Sequence, residues 1–365
     1  MNNNNKISSL QFSVLLIYPV LSLFSGIGLY DILKISQIDS YISVLVATIL
    51  GIIFLAIFLV IFNYQKELSL PEKNIHLFGN ILGNIINYLI NFLIIISGIV
   101  VTYSISNFIV SQFLAETPIY IILILMGLVT IYNISKGIEV IARTGFIFFI
   151  IITILTITST LGLIPYFDSS NLKPVLENGI KPTLIGGSVL TLTDIIPLMI
   201  LLIIPKDKII NHQKIEKRII IAYLTAMTFI FLATILTTAS LGIHLIKIYP
   251  HPEYMVLKKI SILGFIDRIE NIIYVKWMLN DFVNISLIGY FISKSINNKN
   301  KQKLLPIIIT IIILVLSQIL FKDNAEFKFF VLHIFPYLNL LLLALLVIIT
   351  INIIIRKLLT KKNLA

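Results

Sequence analysis

Two acidic residues inside long apolar segments are the side chains best placed to do chemistry. Asp194 lies near the middle of the segment 184–204, and Asp281 lies well inside the segment 271–293. A carboxylate at the centre of a bilayer is costly and usually faces a water-filled interior. Asp194 could bind a ligand ammonium, carry a coupling proton or satisfy a neighbouring polar group. For Asp281, with Asn284 beside it, an ion or proton site and simple pairing with a neighbouring helix both remain open.

The composition requires lipid as the solvent. Of the 365 residues, 58% are hydrophobic and only 12% are charged, and the mean hydropathy is +1.01. A soluble domain has about 45–50% apolar and about 25% charged residues, so a soluble enzyme and a disordered chain are both excluded. There is no cysteine, which excludes disulfides and thiolate metal sites. The sequence has no phosphate-binding loop, serine elbow or paired histidines, so no cofactor and no enzymatic activity are expected.

Ten apolar segments are long enough to be membrane helices, and they lack the alternation of barrel strands. They cover residues 8–31, 40–62, 84–112, 118–134, 140–164, 184–204, 219–245, 271–293, 304–321 and 331–355. The predicted fold class is therefore an all-α integral membrane protein. Basic residues are more frequent in alternate loops, which places both termini in the cytoplasm. Arg218 and Lys301 are then cytoplasmic, and Asn178 and Lys258 are external.

The ten helices divide into two five-helix units, over 1–165 and 166–365. Because each unit has an odd number of helices, the two units must enter the membrane from opposite sides. The first helix of each unit carries helix-breaking and polar residues, which predicts that both are interrupted around a binding site. The predicted ligand-binding residues are Ser22, Ser25, Gly26, Gly186, Gly187, Ser188, Thr191 and Asp194. Asp281 and Asn284 are the candidate ion or proton site, and Tyr103 is a candidate gate. The alternative is that the glycines only allow close helix packing.

Two loops are longer than the others. Residues 165–183 contain several turn formers and predict an irregular outer loop. Near 255–270, apolar residues recur at helical spacing, which predicts an amphipathic helix at the outer surface. This helix could be an ordinary connection or a docking element for a partner.

Several short segments, in this order along the chain, resemble one family, the endospore germination permeases. They are residues 6–11, 37–42, 137–144, 171–179, 249–250 and 265–270, followed by Trp277. These permeases are the B subunits of germinant receptors and belong to the amino acid–polyamine–organocation superfamily. The sequence differs from the family pattern where Leu21 and Ser22 replace a helix-one glycine, and near Asp194, where the family often has a glutamate.

The resemblance implies a five-plus-five inverted repeat of the LeuT type in the inner membrane of a dormant spore. It also implies binding of an amino acid or a similar nutrient germinant, together with an A subunit and a lipoprotein C subunit. An autonomous proton-coupled amino-acid permease is the alternative function. A membrane-embedded enzyme is disfavoured because the sequence contains no catalytic constellation.

Overall fold

A computed structural model describes residues 6–260, 269–296 and 304–362, and side chains as far as 359. Most of these residues are helical. The helices are α1 (Ser9–Ser22), α2 (Leu29–Ser36), α3 (Ser40–Asn63), α4 (Leu70–Gln112), α5 (Ile119–Lys136), α6 (Ile138–Leu163), α7 (Lys181–Leu190), α8 (Ile215–Ile248), α9 (Pro252–Leu257), α10 (Asn271–Ser295), α11 (Leu305–Ile319), α12 (Asn324–His333) and α13 (Phe335–Lys362). Lys301, predicted to be cytoplasmic, lies outside the described residues.

Each of the ten predicted apolar segments coincides with helical structure. Among the described residues, seven continuous helical stretches are long and apolar enough to cross a membrane, and Leu305–Ile319 is a shorter apolar helix. Many large apolar side chains remain exposed on the outside of the bundle. Ile81 is 79% exposed and Leu125 is 60% exposed. Exposed apolar surface on this scale is typical of a protein that faces lipid.

The first helix is broken, as predicted. Between α1 and α2, residues Phe24–Gly28 form a π-helical turn in which Ser25 and Gly26 leave the helical conformation. Gly26 has φ of 104°, a region that side chains with a Cβ rarely occupy. Pro19 precedes the break within α1. The chain therefore exposes backbone groups inside the bundle at this point.

The sixth helix is also interrupted, but after its two glycines and by a change of helix type in which the residues at each junction keep helical dihedral angles. α7 is regular through Leu190, Thr191–Ile195 form a π-helical turn, and Ile196–Ile203 form a 3₁₀ helix. Pro197 lies in the first turn of that 3₁₀ helix. Gly186 and Gly187 lie within the regular part, so the predicted interruption exists at a later position than the glycines indicate.

The broken helices occupy the centre of the bundle. α1 packs against α6, α8 and α10, and α3 packs against α7 and α8. At the chain start, Ile7–Ser8 pair in parallel with Ile209–Ile210 in a short two-stranded sheet. The Ser8 hydroxyl accepts a hydrogen bond from the backbone N–H of Gln11 and so caps α1. These contacts hold the N-terminal end of α1 against the segment that follows the sixth helix.

The described parts of the two long loops lie around the opposite end of α1. Residues 165–180 are irregular apart from short 3₁₀ turns, and Asn171 donates from Nδ2 to the Ala239 carbonyl at 2.7 Å. The predicted surface helix near 255–270 differs from the structure. α9 begins at Pro252 and ends at Leu257, where Val256 and Leu257 are both buried. Its described part lies inside the protein because α8, α6 and α2 cover it. Residues 261–268 of that prediction lie outside the described residues.

Candidate functional site

A small cavity lies where the two broken helices meet, and we call it the central cavity. Its volume is about 20 Å³, which is room for about one water molecule, so its walls must separate to admit a ligand. Its walls come from α1 and the residue after it, α4, the π-helical turn and 3₁₀ part of the sixth helix, α10 and α13: Pro19, Ser22, Leu23, Ile94, Ser97, Val101, Thr193, Pro197, Ile200, Asn284, Ile288, Phe335 and Leu342. The cavity is mainly apolar, with a few polar groups that could orient a ligand.

Ser22 connects the first break to the predicted ion or proton site. Its hydroxyl donates to Asp281 Oδ1 at 2.5 Å, and Asn280 donates to the same oxygen at 3.4 Å. Asn280 also donates to the carbonyl of Tyr18. The buried Asp281 thus holds α10 to the helix-one segment before the break. The structure brings these two predicted residues together, but it assigns Asp281 hydrogen-bond partners on the protein itself.

Asn284 presents an unpaired acceptor near the same cavity. Its side chain is buried and lines the central cavity, and its Oδ1 has no hydrogen-bond partner in the described part of the chain. An unpaired buried acceptor costs about 1–3 kcal/mol. A ligand that brings a hydrogen-bond donor into the cavity would remove this cost.

Asp194 lies directly behind the cavity wall. The hydroxyl of Thr193, which lines the cavity, donates to Asp194 Oδ2 at 2.5 Å. The carboxylate lies beside the first break, since a Cβ at Gly28 would be 3.4 Å from its Oδ1. This Oδ1 is buried and, among the described residues, has no hydrogen-bond partner. Asp194 therefore lies between the two breaks, one residue away from the cavity lining.

Gly186 and Gly187 allow close helix packing. A Cβ at Gly186 would lie 2.3 Å from the Ser36 hydroxyl oxygen, and one at Gly187 would lie 2.8 Å from the Ser43 carbonyl. Contacts this short mean that α7 can approach the end of α2 and α3 only because these residues have no side chain. Neither glycine lines the central cavity.

The remaining predicted residues lie away from the central cavity. Ser188 is exposed on the outside of α7 and donates to the Leu184 carbonyl, whereas the buried Thr191 donates to the Gly187 carbonyl. Tyr103, the predicted gate, packs edge-to-face against Phe321 and at a tilt against Phe327, with ring centroids 5.1 and 4.4 Å away. Tyr103 therefore belongs to an aromatic cluster between α4 and α12, and its role as a gate stays a prediction.

Helix one is held at its break by two residues that the sequence analysis missed. The Gly26 N–H donates to Glu253 Oε1 at 3.2 Å. His251 Nδ1 lies 2.9 Å from the Gly26 carbonyl oxygen, and since a carbonyl only accepts, Nδ1 carries the hydrogen. Burial lowers the pKa of His251 to about 4, so the imidazole is neutral at neutral pH. α9 thus binds both backbone groups of Gly26.

The signal for these residues is absent from the local sequence. His251 and Glu253 are buried because α9 packs on aromatic side chains of α4 and α10. Phe108 lies 4.9 Å from the His251 ring and 4.4 Å from Trp277, measured between ring centroids. Only the proline at Pro252, at the start of α9, is a local indication of a helix there.

A third missed residue, Asp31, lies near Asp194. Asp31 is buried in α2, and its Oδ1 has no partner in the ranges that the structure describes. The two carboxylates are close enough to interact electrostatically, and Lys328 and Lys34 also act on Asp31. The sequence places Asp31 at the end of the first apolar segment, where a charged residue is ordinarily a helix boundary.

Comparison with known proteins identifies relatives over nearly the whole chain. A family model described as spore germination protein matches residues 6–326. Spore germination protein XB of Bacillus anthracis is 26% identical over 301 residues, covering 81% of this chain and 83% of that protein. Spore germination protein KB of Bacillus subtilis (strain 168) is 29% identical over 182 residues, covering 48% of each chain.

Two solved structures share the fold. A Na⁺-coupled sialic acid symporter in a substrate-bound, outward-open state aligns with a TM-score of 0.60 at 12% identity, covering 94% of this chain and 77% of the symporter. MhsT in complex with L-phenylalanine also aligns with a TM-score of 0.60, at 13% identity, covering 93% of this chain and 89% of MhsT. At such identities the likeness concerns the fold alone, which is that of LeuT-type transporters. By its family match and its membrane-spanning helical fold, the chain belongs to the spore germination permease family.

Proposed function

We propose that this chain is the germinant-sensing membrane subunit of a spore germination receptor and binds an amino acid or a similar small nutrient. The observation that carries the proposal is the meeting of two broken helices at a small cavity with unpaired buried acceptors close to it. Asn284 Oδ1 and Asp194 Oδ1 have no partners within the described residues. A ligand ammonium has the donors that these oxygens lack.

The proposed receptor also contains an A subunit and a lipoprotein C subunit, and it lies in the inner membrane of the spore with both termini in the cytoplasm. The native chain has no cysteine, so single cysteines report the topology directly. Arg218 bonds to Ser9, so the exposed Lys217 is the better position on that side. Lys217→Cys and Asn178→Cys should be labelled from opposite sides of the membrane. Labelling of both from one side would contradict this topology.

An autonomous proton-coupled amino-acid permease is the second candidate. The observation that favours it is the pair of buried carboxylates, Asp31 and Asp194, each with an unpaired oxygen in the described structure. Buried carboxylates of this kind serve as proton carriers in transporters. Uptake of labelled amino acids by proteoliposomes that contain this chain alone, dependent on a proton gradient, would favour the permease. Ligand binding without uptake favours the sensing role.

Dose–response curves of spores that carry Asp194→Asn test the sensing role. This change keeps the shape of the side chain and removes its charge. A charge-assisted hydrogen bond contributes about 1.5–3 kcal/mol, so the response to an amino-acid germinant should weaken by about ten- to hundred-fold. The response to an uncharged sugar or nucleoside should change much less.

The exposed Asp207 offers a matched control, because Asp207→Asn removes the same charge far from the breaks. Equal loss for charged and uncharged germinants in Asp194→Asn would indicate a structural or proton-carrying aspartate. Deletion spores that respond normally to every nutrient tested would contradict the sensing role itself.

A further inference from the structure

A second, larger cavity lies beside the first break, on the side away from the central cavity, and we call it the α9 cavity. Its volume is about 80 Å³, several times that of the central cavity. Its walls come from the break itself and from α6, α8, α9 and α10. Apolar groups such as Phe24, Phe229 and Trp277 form most of the wall. Its mainly apolar lining suits a small molecule with an apolar body.

Two hydrogen-bond acceptors on the wall of this cavity are unpaired. Glu253 uses Oε1 to accept from Gly26, but its Oε2 is buried and has no partner among the described residues. Glu253 as a whole is only 6% exposed. Asn280 donates through Nδ2, and its Oδ1 is also buried without a partner in this part of the structure. Both residues line the α9 cavity.

One positive charge faces the same cavity. Lys276 of α10 lines the wall and interacts electrostatically with Glu253. The two side chains do not form an ion pair, since the ion pairs of the described residues are Arg143–Glu139 and Lys206–Glu216. No hydrogen bond of Lys276 to another described side chain is present either. The cavity wall thus carries an ammonium and a carboxylate that are not paired with each other.

We propose that the α9 cavity is a second ligand site, separate from the central cavity, which takes a small zwitterion with an apolar body. The ammonium of the ligand lies against Glu253 Oε2 and Asn280 Oδ1, and its anionic group faces Lys276. Unpaired charges in an apolar wall are costly, and a zwitterion satisfies both ends at once. A ligand with one charge satisfies only one end and leaves the other unpaired.

The same carboxyl group would connect this ligand to the first helix break. Glu253 Oε1 holds the Gly26 N–H, and Oε2 faces the ligand, so occupation of the site acts on the residue that fixes the break. Burial raises the pKa of Glu253 to about 7, while Lys328 and Lys276 lower it by less, and the neighbouring His251 is neutral. Ionised Glu253 is the form that a ligand ammonium stabilises, which adds support to the geometry.

Binding by the purified full chain in nanodiscs tests this proposal and does not depend on the germinant role. The probes are L-leucine, 3-methylbutylamine, which lacks the carboxylate, and 4-methylpentanoate, which lacks the ammonium. L-Alanine, L-valine and L-phenylalanine vary the apolar body. Each lost charged contact should cost about 10- to 100-fold in affinity, so wild type should prefer at least one of the amino acids to both single-charge analogues.

Two variants separate recognition from structure. Lys276→Met should abolish the preference for leucine over 3-methylbutylamine and keep the preference over 4-methylpentanoate. Glu253→Gln can still accept from Gly26, and it should show the opposite pattern. Lys247→Met and Glu177→Gln, at exposed positions, are the matched controls and should leave both preferences unchanged.

Several results would overturn the proposal. One is that no amino acid of the panel binds wild type more tightly than the analogues. Another is that Lys276→Met and Glu253→Gln weaken all three leucine-based probes equally, which a structural role would produce. A third is that both preferences disappear in Asp194→Asn and persist in the two α9-cavity variants, which would assign zwitterion recognition to the central cavity.

Discussion

Replacing Gly26 by alanine tests whether the break in helix one has the conformation described. Gly26 has φ of 104°, and a residue with a Cβ in such a region costs about 1–3 kcal/mol. The added Cβ would also lie 3.2 Å from the Ser104 hydroxyl oxygen and 3.5 Å from the Trp277 ring. The Ser104 hydroxyl would have to shift by a few tenths of an ångström, whereas the distance to the Trp277 ring is an ordinary contact. We therefore expect Gly26→Ala to destabilise the protein by about 1–3 kcal/mol.

The neighbouring Gly28 supplies a matched control. Its φ is −58° and its ψ is −37°, which is ordinary helical backbone. A Cβ there would lie 3.4 Å from its nearest neighbours, including Asp194 Oδ1, an ordinary contact. Alanine in a helical position gains about 0.5–1 kcal/mol over glycine, so Gly28→Ala should be neutral or stabilising.

The assay is thermal unfolding of the purified variants in detergent, followed through tryptophan fluorescence. Gly26→Ala should lower the unfolding midpoint by about 2–4 °C or more, and Gly28→Ala should not lower it. Equal midpoints for Gly26→Ala and wild type, or a larger loss in Gly28→Ala, would refute the description of this break.

Three further changes probe the surroundings of the breaks. Ser22→Ala removes the hydrogen bond to Asp281 and should lower the free energy of unfolding by about 1.5–3 kcal/mol. The double variant with Asp281→Asn should lose less stability than the sum of the two single variants. Gly187→Ala would place a Cβ 2.8 Å from the Ser43 carbonyl and should reduce the yield of folded protein. Loss of the ligand response at a normal yield would instead indicate that Gly187 belongs to the ligand site. Burial raises the pKa of Glu253 from 4.5 to about 7, so between these pH values the folded protein binds more protons than the unfolded chain. The free energy of unfolding should therefore fall as pH rises from about 4.5 to 7, by on the order of 3 kcal/mol. Glu253→Gln should flatten this profile.

The helices and their interruptions were predictable because lipid requires long apolar runs and internal hydrogen bonding. All ten segments coincide with helical structure, and both the first and the sixth helix are broken. The inverted relation between the two halves stays a prediction. The position of the sixth break was not predictable from Gly186 and Gly187, because a glycine that opens a helix and one that admits a neighbouring helix look alike in sequence.

The composition of the site was harder to predict than the fold. Ser22, Asn284 and Asp194 were predicted because they are polar groups in apolar segments. Ser22 and Asn284 line the central cavity, and Asp194 lies one residue from its lining. Glu253 and His251 were missed because they lie in a loop that seemed exposed. Their burial depends on aromatic packing between distant segments, and no local pattern encodes that packing.

The variant Asn284→Leu shows whether the cavity between the broken helices binds the nutrient that the protein senses. Leucine keeps the size of the side chain and removes the unpaired Oδ1. Removing an unpaired buried acceptor relieves about 1–3 kcal/mol, so the unfolding midpoint should stay equal or rise. The matched control is Asn133→Leu, which breaks a bond of 3.1 Å to the Ser286 hydroxyl and should lower the midpoint.

The decisive measurement is the germinant dose–response of spores that carry Asn284→Leu, normalised to the amount of folded protein. If the central cavity is the ligand site, this variant is as stable as wild type and needs about ten- to hundred-fold more germinant, whereas Asn133→Leu responds normally per folded molecule. A normal response of Asn284→Leu, or a weakened response that only follows lost stability, would contradict the claim that the central cavity is the ligand site.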